Sequence, residues 1–281
     1  MIITGYALAA LVGVTLGLMG GGGSILTVPI FVYVMGYDAK LAIAMSLPVI
    51  GVTSLVGALT HWRAGNVHVR TAVSFGLITV VGAFAGARAA TLLSGIAQLV
   101  LLALMMLLAA VMMLRSARQQ STSAVSAPRA MPLAVLIPVA LVIGTVTGLV
   151  GVGGGFLVVP ALVLLARSSM KQAIGTSLLV IAMNSASAFA GYVGQVQVPW
   201  VVVALFTTIA VCGILVGTWC VRFVSQRRLK QGFAVLLIVM GSFMLYRSRS
   251  LLFAGTRHAT RFELQPHTHQ DWPGAVRLAW S

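Results

Sequence analysis

Polar side chains able to bind a small anion follow each of two glycine-rich stretches in the sequence. They recur at helical spacing and comprise Ser46, Thr53, Ser54, Thr176, Ser177, Asn184, Ser185 and Ser187. Hydroxyl and amide groups can replace the water shell of an oxyanion, although a single Ser or Thr more often bonds back to a carbonyl of its own helix. Asn184 is the strongest candidate, because an amide is costly to bury without a partner. The pattern predicts anion binding.

The two stretches are copies of one glycine run followed by proline. Gly17–Pro29 and Gly148–Pro160 lie 131 residues apart and share the glycine-to-proline spacing. Such a run cannot continue a regular helix, because glycine adds backbone entropy and proline removes a hydrogen-bond donor. In lipid, broken backbone survives only where protein or a wet cavity satisfies its polar groups. We therefore expect both runs to break a helix at the centre of the protein.

A half-helix that begins just after a glycine run directs unpaired N–H groups and a positive dipole end at the break. Ser24 or Thr27 could cap the first half-helix. The alternative is that the glycines only let helices pack closely. We favour an anion site whose candidate residues are Gly20, Gly21, Gly22, Gly23, Ser24, Ser46, Thr53, Gly151, Gly153, Gly154, Gly155, Thr176, Ser177 and Asn184.

The sequence has few groups for covalent, redox or metal chemistry. Asp38, Glu263 and Asp271 are its only acids, and none lies within a predicted spanning helix. Both cysteines fall in one apolar segment, and no Gly-Lys-Ser/Thr follows either glycine run, which excludes a nucleotide P-loop. We expect no catalytic residues, no cofactor and no metal site. His61 and Arg63 fit a pair that snorkels to the membrane surface, with an entrance to the site as the alternative.

Composition places these segments in a lipid bilayer. Hydrophobic residues make up 59% of the 281 residues and charged residues 7%, and the mean hydropathy is +1.05. Apolar stretches near 20 residues indicate spanning helices rather than barrel strands. The net charge of +15 is concentrated in inter-helix loops, where it signals topology and not nucleic-acid binding.

The chain is an internal duplication. Aligning residues 13–94 with 144–225 gives 25 identities in 82 pairs. We expect an all-α polytopic protein with a membrane repeat over 1–114, a linker rich in Ser, Arg and Gln over 115–132, a second repeat over 133–246 and a poorly ordered basic tail over 247–281. Each repeat would hold one glycine-broken helix and three spanning helices, about eight membrane segments in all.

Corresponding loops of the two halves differ in charge. The loop at 61–70 holds Arg63 and Arg70, whereas its counterpart at 194–198 holds no basic residue. Because cytoplasmic loops carry the excess of Lys and Arg, this difference predicts halves of inverted orientation. Inversion leaves Lys40 and Arg88 outside and collects on the cytoplasmic side Arg63, Arg70, Arg115, Arg118, Arg129, Arg167, Lys171, Arg222, Arg227, Arg228 and Lys230.

Two paired motifs carry a family resemblance. Each glycine run contains GL-x-G-x-G-G and a later V-P, and each is followed by A-I-x-x-S-L at Ala42–Leu47 and Ala173–Leu178. Residues 5–246 resemble the TauE/SafE family of sulfite exporters and organosulfonate transporters. The resemblance implies two related halves, roughly eight membrane segments and movement of a sulfur-containing anion.

Together the residues and the resemblance predict a multi-pass permease of a bacterial-type inner membrane. Its partners would be a small anionic substrate and the lipid bilayer, with no nucleic acid and a possible homo-oligomer. The substrate would bind between the glycine breaks, with alternating access by rocking of the halves. A membrane-embedded partner subunit or an enzyme without transport activity is the alternative function.

Overall fold

A computed structural model of the chain describes residues 2–119, 133–151, 153–164, 168–192, 194 and 196–262. All regular structure in these ranges is helical. The α-helices are α1 (Ile2–Met19), α2 (Gly22–Pro29), α3 (Ala39–Arg63), α4 (Val69–Ala89), α5 (Gly95–Gln119), α6 (Leu133–Val150), α7 (Gly155–Leu164), α8 (Met170–Tyr192), α9 (Trp200–Cys220) and α10 (Gln226–Phe262).

Six helical stretches in the described ranges are long and apolar enough to cross a membrane, three on each side of residues 120–132. They are Ala39–Arg63, Val69–Leu92, Gly95–Arg115, Met170–Tyr192, Trp200–Phe223 and Gln226–Arg247. Two spans include a short 3-10 turn, at Ala90–Leu92 and Val221–Phe223. Four shorter apolar helices flank the glycine runs. The predicted all-α membrane class is confirmed.

The helix breaks at both glycine runs, as predicted. In the first run α1 ends at Met19 and α2 begins at Gly22, and in the second α6 ends at Val150 and α7 begins at Gly155. The first break is shorter than expected, because Gly22 and Gly23 already belong to α2. A Cβ on Gly23 would overlap the Val12 carbonyl oxygen, so glycine at this position lets α2 fold back against α1.

Beyond α2 the chain changes helix type before it turns into α3. A π-helical segment, Ile30–Val34, follows Pro29 directly, and the Met35 N–H donates to the Ile30 carbonyl over 2.9 Å. Gly36 then adopts a φ of +78°. Asp38 caps the start of α3 and accepts a 3.0 Å hydrogen bond from the Lys40 N–H, which satisfies one of the free donors at the start of that helix.

Two of the predicted boundaries fall at the edge of the described residues. Helix α5 continues past residue 114 to Gln119, and residues 120–132 of the predicted linker lie outside the described part. Helix α10 continues past residue 246 to Phe262, and residues 263–281 of the predicted tail also lie outside it.

Glycines bring two pairs of helices into backbone contact. Between α1 and α9, a Cβ on Gly13 would overlap the Ala210 carbonyl oxygen, and one on Gly17 would lie 2.6 Å from the Ile214 carbonyl oxygen. In both contacts the residue numbers rise together, so α1 and α9 run parallel. Small residues permit this close approach, as is common where helices pack in lipid.

Helices α4 and α6 make the same contact. A Cβ on Gly144 would overlap the Thr79 carbonyl oxygen, and one on Gly148 would overlap the Ala83 carbonyl oxygen. Each of these four residues lies 131 positions from its equivalent in the α1–α9 contact. In that contact the two glycines belong to the first half of the chain, and here they belong to the second. The numbers again rise together, so α4 and α6 run parallel.

Helices α3 and α8 cross in opposite directions. A Cβ on Gly51 would lie 3.4 Å from Ser185 Cβ, and a Cβ on Gly175 would lie 3.1 Å from His61 Cβ. Later residues of α3 therefore meet earlier residues of α8, which makes the two helices antiparallel.

The remaining contacts sort these six helices into two groups, and the helices within each group run parallel to one another. Helix α3 meets α9 where Thr60 Oγ1 lies 3.4 Å from Thr218 Oγ1, and α4 meets α8 where Ser187 Oγ donates to the Val80 carbonyl over 2.8 Å. One group thus contains α1, α3 and α9, and the other contains α4, α6 and α8. The two groups face each other at the α3–α8 crossing, and each takes helices from both halves of the chain.

Candidate functional site

The two glycine breaks touch each other. A Cβ on Gly155 would lie 2.5 Å from the Gly21 Cα, and one on Gly21 would overlap the Gly155 carbonyl group. Gly21 precedes α2 and Gly155 begins α7, so the N-terminal ends of two half-helices meet here. The first N–H groups of each lack an intrahelical acceptor, and each end carries a partial positive charge. Asp38, the only acid among the described residues, lies at the start of α3 instead.

The second break has a backbone that only glycine adopts easily. Gly151, Gly153 and Gly154 have φ values of +68°, +65° and +84°, a region that costs an L-residue roughly 1–2 kcal/mol. A Cβ on Gly153 would overlap the Ser185 hydroxyl and lie 3.2 Å from Ile50 Cγ2. The Gly153 backbone therefore reaches the α3–α8 crossing. Val152, between these glycines, lies outside the described residues.

The first break meets the opposite half through a serine. Gly20 has a φ of +71°, and a Cβ there would lie 2.8 Å from Ser177 Oγ. The equivalent serine, Ser46, lies 2.9 Å from the Gly151 carbonyl oxygen. Each predicted serine thus lies against the glycine run of the other half. The Ser46 and Ser177 hydroxyls also bond back to carbonyls three residues earlier, so they support the breaks.

Several predicted hydroxyl ligands are already engaged. Ser24 donates to the Gly21 carbonyl over 2.7 Å, and Thr27 donates to the Gly23 carbonyl over 3.1 Å. The prediction that either residue caps α2 is therefore wrong: α2 begins at Gly22, which places both inside the helix, where such back-bonding is common. Thr53 donates to the Val49 carbonyl over 2.6 Å, and Thr176 accepts from the His68 N–H over 3.0 Å.

Gly22 also differs from its sequence counterpart Gly153. Gly22 is helical, and a Cβ on it would lie 3.0 Å from Leu236 Cδ2 and 3.1 Å from Met19 Cβ. Its surroundings are therefore side chains of α10 and α1, whereas Gly153 lies against the Ser185 hydroxyl and the side chains of Ile181 and Ile50. The two glycines occupy equivalent positions in the repeat, and the sequence therefore suggests the same role for both. Their contacts in the structure differ.

Asn184 is fully buried and leaves part of its amide unpaired. Its Oδ1 lies 2.8 Å from Thr79 Oγ1, and Thr79 Oγ1 also lies 3.0 Å from the Gly76 carbonyl oxygen. A hydroxyl has one proton, so Thr79 can donate to only one of these two oxygens. If Thr79 donates to Gly76, the Asn184 amide turns and donates to Thr79. In either orientation one polar amide atom of Asn184 has no partner.

Two further hydroxyls at the crossing are unpaired. Ser54 and Ser185, equivalent positions in the two halves, are fully buried, and neither Oγ has a hydrogen-bond partner. Leaving a buried polar group unpaired costs about 1–3 kcal/mol. Both serines are among the candidate hydroxyls of the sequence but not among its predicted site residues, although their exact repetition in the two halves was a signal. Ser185 lies against the Gly153 backbone, and Ser54, Asn184 and Ser185 are all fully buried in this conformation.

Metal binding has no support in the described residues. They contain no group of three His, Cys, Asp or Glu side chains that could hold an ion. The candidate site brings together glycine backbone, hydroxyls and one amide, which are groups suited to non-covalent binding of a small polar ligand.

A family model described as "Sulfite exporter TauE/SafE" matches residues 6–244. The chain belongs to the TauE/SafE family. It is 32% identical over 254 residues to a "Probable membrane transporter protein" of Xylella fastidiosa, with 87% of this chain and 95% of the relative covered. It is 26% identical over 262 residues to a protein of the same description from Methanocaldococcus jannaschii, with 87% and 94% covered. No solved structure gives a significant match.

Membership in TauE/SafE confirms the resemblance found in the glycine and A-I-x-x-S-L motifs. The relatives are named as membrane transporters, so the chain is a multi-pass transporter of this family and not an enzyme. The TauE/SafE match ends at residue 244, and the A-I-x-x-S-L segments that it includes carry Ser46 and Ser177 against the two breaks.

Proposed function

We propose that the chain moves a small sulfur-containing oxyanion, such as sulfite or an organosulfonate, across a bacterial-type inner membrane. The observation that carries this proposal is the meeting of the α2 and α7 N-terminal ends at Gly21 and Gly155. Two positive dipole ends in contact repel each other in a low-dielectric interior, and a negative charge close to both relieves that repulsion. The described residues supply no carboxylate there, so a bound anion is the natural counter-charge. The family description supports the choice of sulfite.

The polar groups at the crossing suit an oxyanion without a neutralising cation. Ser54 and Ser185 offer hydroxyl donors, and the Gly153 backbone lies against Ser185. Hydrogen bonds from such donors, rather than a lysine or arginine, would hold the anion. Release stays feasible with this arrangement, because neutral donors bind an anion less strongly than a buried ion pair does.

The same contacts support an inverted repeat. The α1–α9 and α4–α6 glycine contacts exchange when residue numbers shift by 131, and the equivalent helices α3 and α8 run antiparallel. We propose that residues 1–114 and 133–246 are two repeats related by a two-fold axis in the membrane plane, with each glycine-broken helix counted as one of about eight membrane segments. Inverted repeats with broken helices at the midplane are a common transporter design.

In this proposal alternating access is a movement of one helix group against the other, rather than of one sequence half against the other. Helices α1 and α9 are joined by glycine contacts that a rocking of the halves would shear, and the same holds for α4 and α6. The α3–α8 crossing is the face between the groups. We propose that rocking there exposes Gly153, Ser54 and Ser185 to one membrane face at a time.

Topology is the first testable consequence. Lys171 Nζ donates to the Arg222 carbonyl over 3.4 Å, so the basic start of α8 and the basic end of α9 lie at one face. We expect cysteines placed at Asn66 and Arg227 to react with an impermeant thiol reagent from the cytoplasmic side, and a cysteine at Gly194 from the other. Labelling of positions 66 and 194 from the same side would refute the inverted repeat.

Transport itself is best measured in proteoliposomes at a set membrane potential. An inside-negative potential favours outward movement of each negative charge by about 2.3 kcal/mol per 100 mV. We expect efflux of labelled sulfite or an organosulfonate that accelerates with this potential and is absent from protein-free liposomes. An efflux rate equal to that of protein-free liposomes, for every sulfur oxyanion tested, would contradict the proposal.

Serine variants link that flux to the site. Ser185→Ala removes an unpaired buried hydroxyl, so the empty protein should not lose stability, while affinity should fall by roughly ten-fold, the effect of about 1.4 kcal/mol. Ser46→Ala is the matched control, because the Ser46 hydroxyl lies within hydrogen-bond distance of both the Gly151 and the Ile43 carbonyl oxygens. The hydroxyl is therefore always paired, and its loss should lower the melting temperature. Unchanged affinity in Ser185→Ala would place the substrate elsewhere.

A further inference from the structure

His61 and Tyr192 occupy equivalent positions in the two halves, 131 residues apart. His61 is 1% exposed and Tyr192 is 3% exposed. Each follows an unpaired serine by seven residues, His61 after Ser54 on α3 and Tyr192 after Ser185 on α8. Seven residues span about 10 Å along a helix and return to nearly the same face. Because α3 and α8 are antiparallel, His61 and Tyr192 lie towards opposite ends of the crossing.

His61 closes the end nearest the turn at Ala64 and Gly65. Its Nε2 lies 3.2 Å from the Gly17 carbonyl oxygen, close to the end of α1, and its Nδ1 has no partner. The expectation that His61 snorkels beside Arg63 is therefore wrong: Arg63 is exposed, but His61 packs between α1 and α8. A buried imidazole with a free nitrogen can hydrogen-bond to a passing polar molecule once the end opens.

Tyr192 closes the opposite end with the help of Gln98 from α5. Gln98 Nε2 donates to Tyr192 Oη over 3.3 Å and to the Leu149 carbonyl, close to the end of α6, over 3.1 Å. The Oε1 atom of Gln98 has no partner. A Cβ on Gly151 would lie 3.7 Å from Tyr192 Oη, so this closure lies directly against the second glycine break.

We infer that the substrate pathway follows the α3–α8 crossing and that His61 and Tyr192 close its two ends. This inference rests on the proposed function. Unpaired buried polar atoms of His61, Ser54 and Ser185 belong to the two crossing helices, and the unpaired Oε1 belongs to Gln98 beside Tyr192. Each raises the free energy of the closed, empty protein. A polar solute or water that moves along the crossing would pair with them in turn, which accounts for their retention in an otherwise apolar interior.

Solvent access to the crossing tests the inference without any substrate. The reporter is Ser54→Cys in a background with Cys212→Ala and Cys220→Ala, and the probe is an impermeant maleimide added from either side of oriented vesicles. We expect slow labelling of the parent. His61→Ala should accelerate labelling from the side of Asn66 only, and Tyr192→Ala from the side of Gly194 only. The acceleration should reach about ten-fold, equivalent to about 1.4 kcal/mol in the opening equilibrium.

Gln98→Ala gives an independent variant on α5, outside the crossing helices. It removes the hydrogen bond to Tyr192 and should accelerate labelling from the Gly194 side, even if an alanine on α3 or α8 folds poorly. Acceleration from the same side by both end variants would overturn the inference. Unchanged labelling in all variants would also overturn it, provided that full labelling of the denatured protein shows the reporter cysteine to be reactive. Side-specific labelling without sulfite efflux would support the pathway and count against sulfite as the substrate. Sulfite efflux without side-specific labelling would support the substrate and count against the pathway.

Discussion

Gly153→Ala is expected to abolish the rise in melting temperature that we predict for binding of the proposed anion, while the protein remains folded. The substitution forces alanine into a φ of +65°, at a cost of about 1–2 kcal/mol, and its methyl would overlap the Ser185 hydroxyl. The methyl would therefore occupy the space between the backbone and the unpaired Ser185 hydroxyl. A ligand at a hundred-fold excess over Kd stabilises the native state by about 2.7 kcal/mol, and the variant should lose this gain. Thermal unfolding with and without sulfite measures it.

Gly194→Ala separates backbone strain from loss of the site. Gly194 also has a positive φ, +85°, but a Cβ there would meet no atom within 4 Å. The variant should unfold at a slightly lower temperature and keep the full sulfite-induced shift. Gly22→Ala should keep most of it, because its neighbours are the side chains of Leu236 and Met19. A full shift in Gly153→Ala would refute the anion site at the second break.

Gly148→Ala is expected to cause the largest loss of folded protein. A Cβ at this position would overlap the Ala83 carbonyl oxygen, which is backbone and cannot rotate away. Overpacking of this kind costs about 1–3 kcal/mol and sometimes more. At the equivalent position in the α1–α9 contact, Gly17→Ala should behave in the same way. Thermal stability in detergent and the yield of monodisperse protein measure both effects.

Gly51→Ala is the control for this packing prediction. Gly51 is also a helical glycine, but its Cβ would lie 3.4 Å from Ser185 Cβ, an ordinary contact. Alanine improves helix propensity by up to about 1 kcal/mol over glycine, so this variant should be as stable as the parent or more stable. Equal stability of Gly148→Ala and Gly51→Ala would mean that α4 and α6 are not held together by the glycine contact.

The broken helices could be predicted because their cause is local. Glycine and proline disfavour helix whatever surrounds them, and the duplication shows directly in the aligned residues. The start of α2 could not be predicted, because Gly22 and Gly23 are helical only through packing against α1 and α10. The sequence cannot distinguish a glycine that tertiary packing holds inside a helix from a glycine that ends a helix.

The polar ligands of the site show a similar limit. Spacing along α3 and α8 correctly selected buried polar residues but could not tell paired hydroxyls from unpaired ones. Thr53 bonds to its own helix and Ser46 to the opposite half, whereas Ser54 has no partner. Whether a hydroxyl is paired depends on which carbonyl a distant helix brings near it. For the same reason His61, next to exposed Arg63, gave no sign of its burial.

The pairing of α1 with α9 bears on how the protein is made. Gly82 and Leu141, which join α4 to α6, are 59 residues apart, whereas Gly13 and Ala210 are 197 residues apart. At synthesis rates of about 5–20 residues per second, α1 waits roughly 10–40 s for α9 after it has emerged. Lipid can cover its small-residue face during that time, because helix association in a bilayer has little hydrophobic drive. The α4–α6 contact can therefore form before the α1–α9 contact, which needs the second half of the chain.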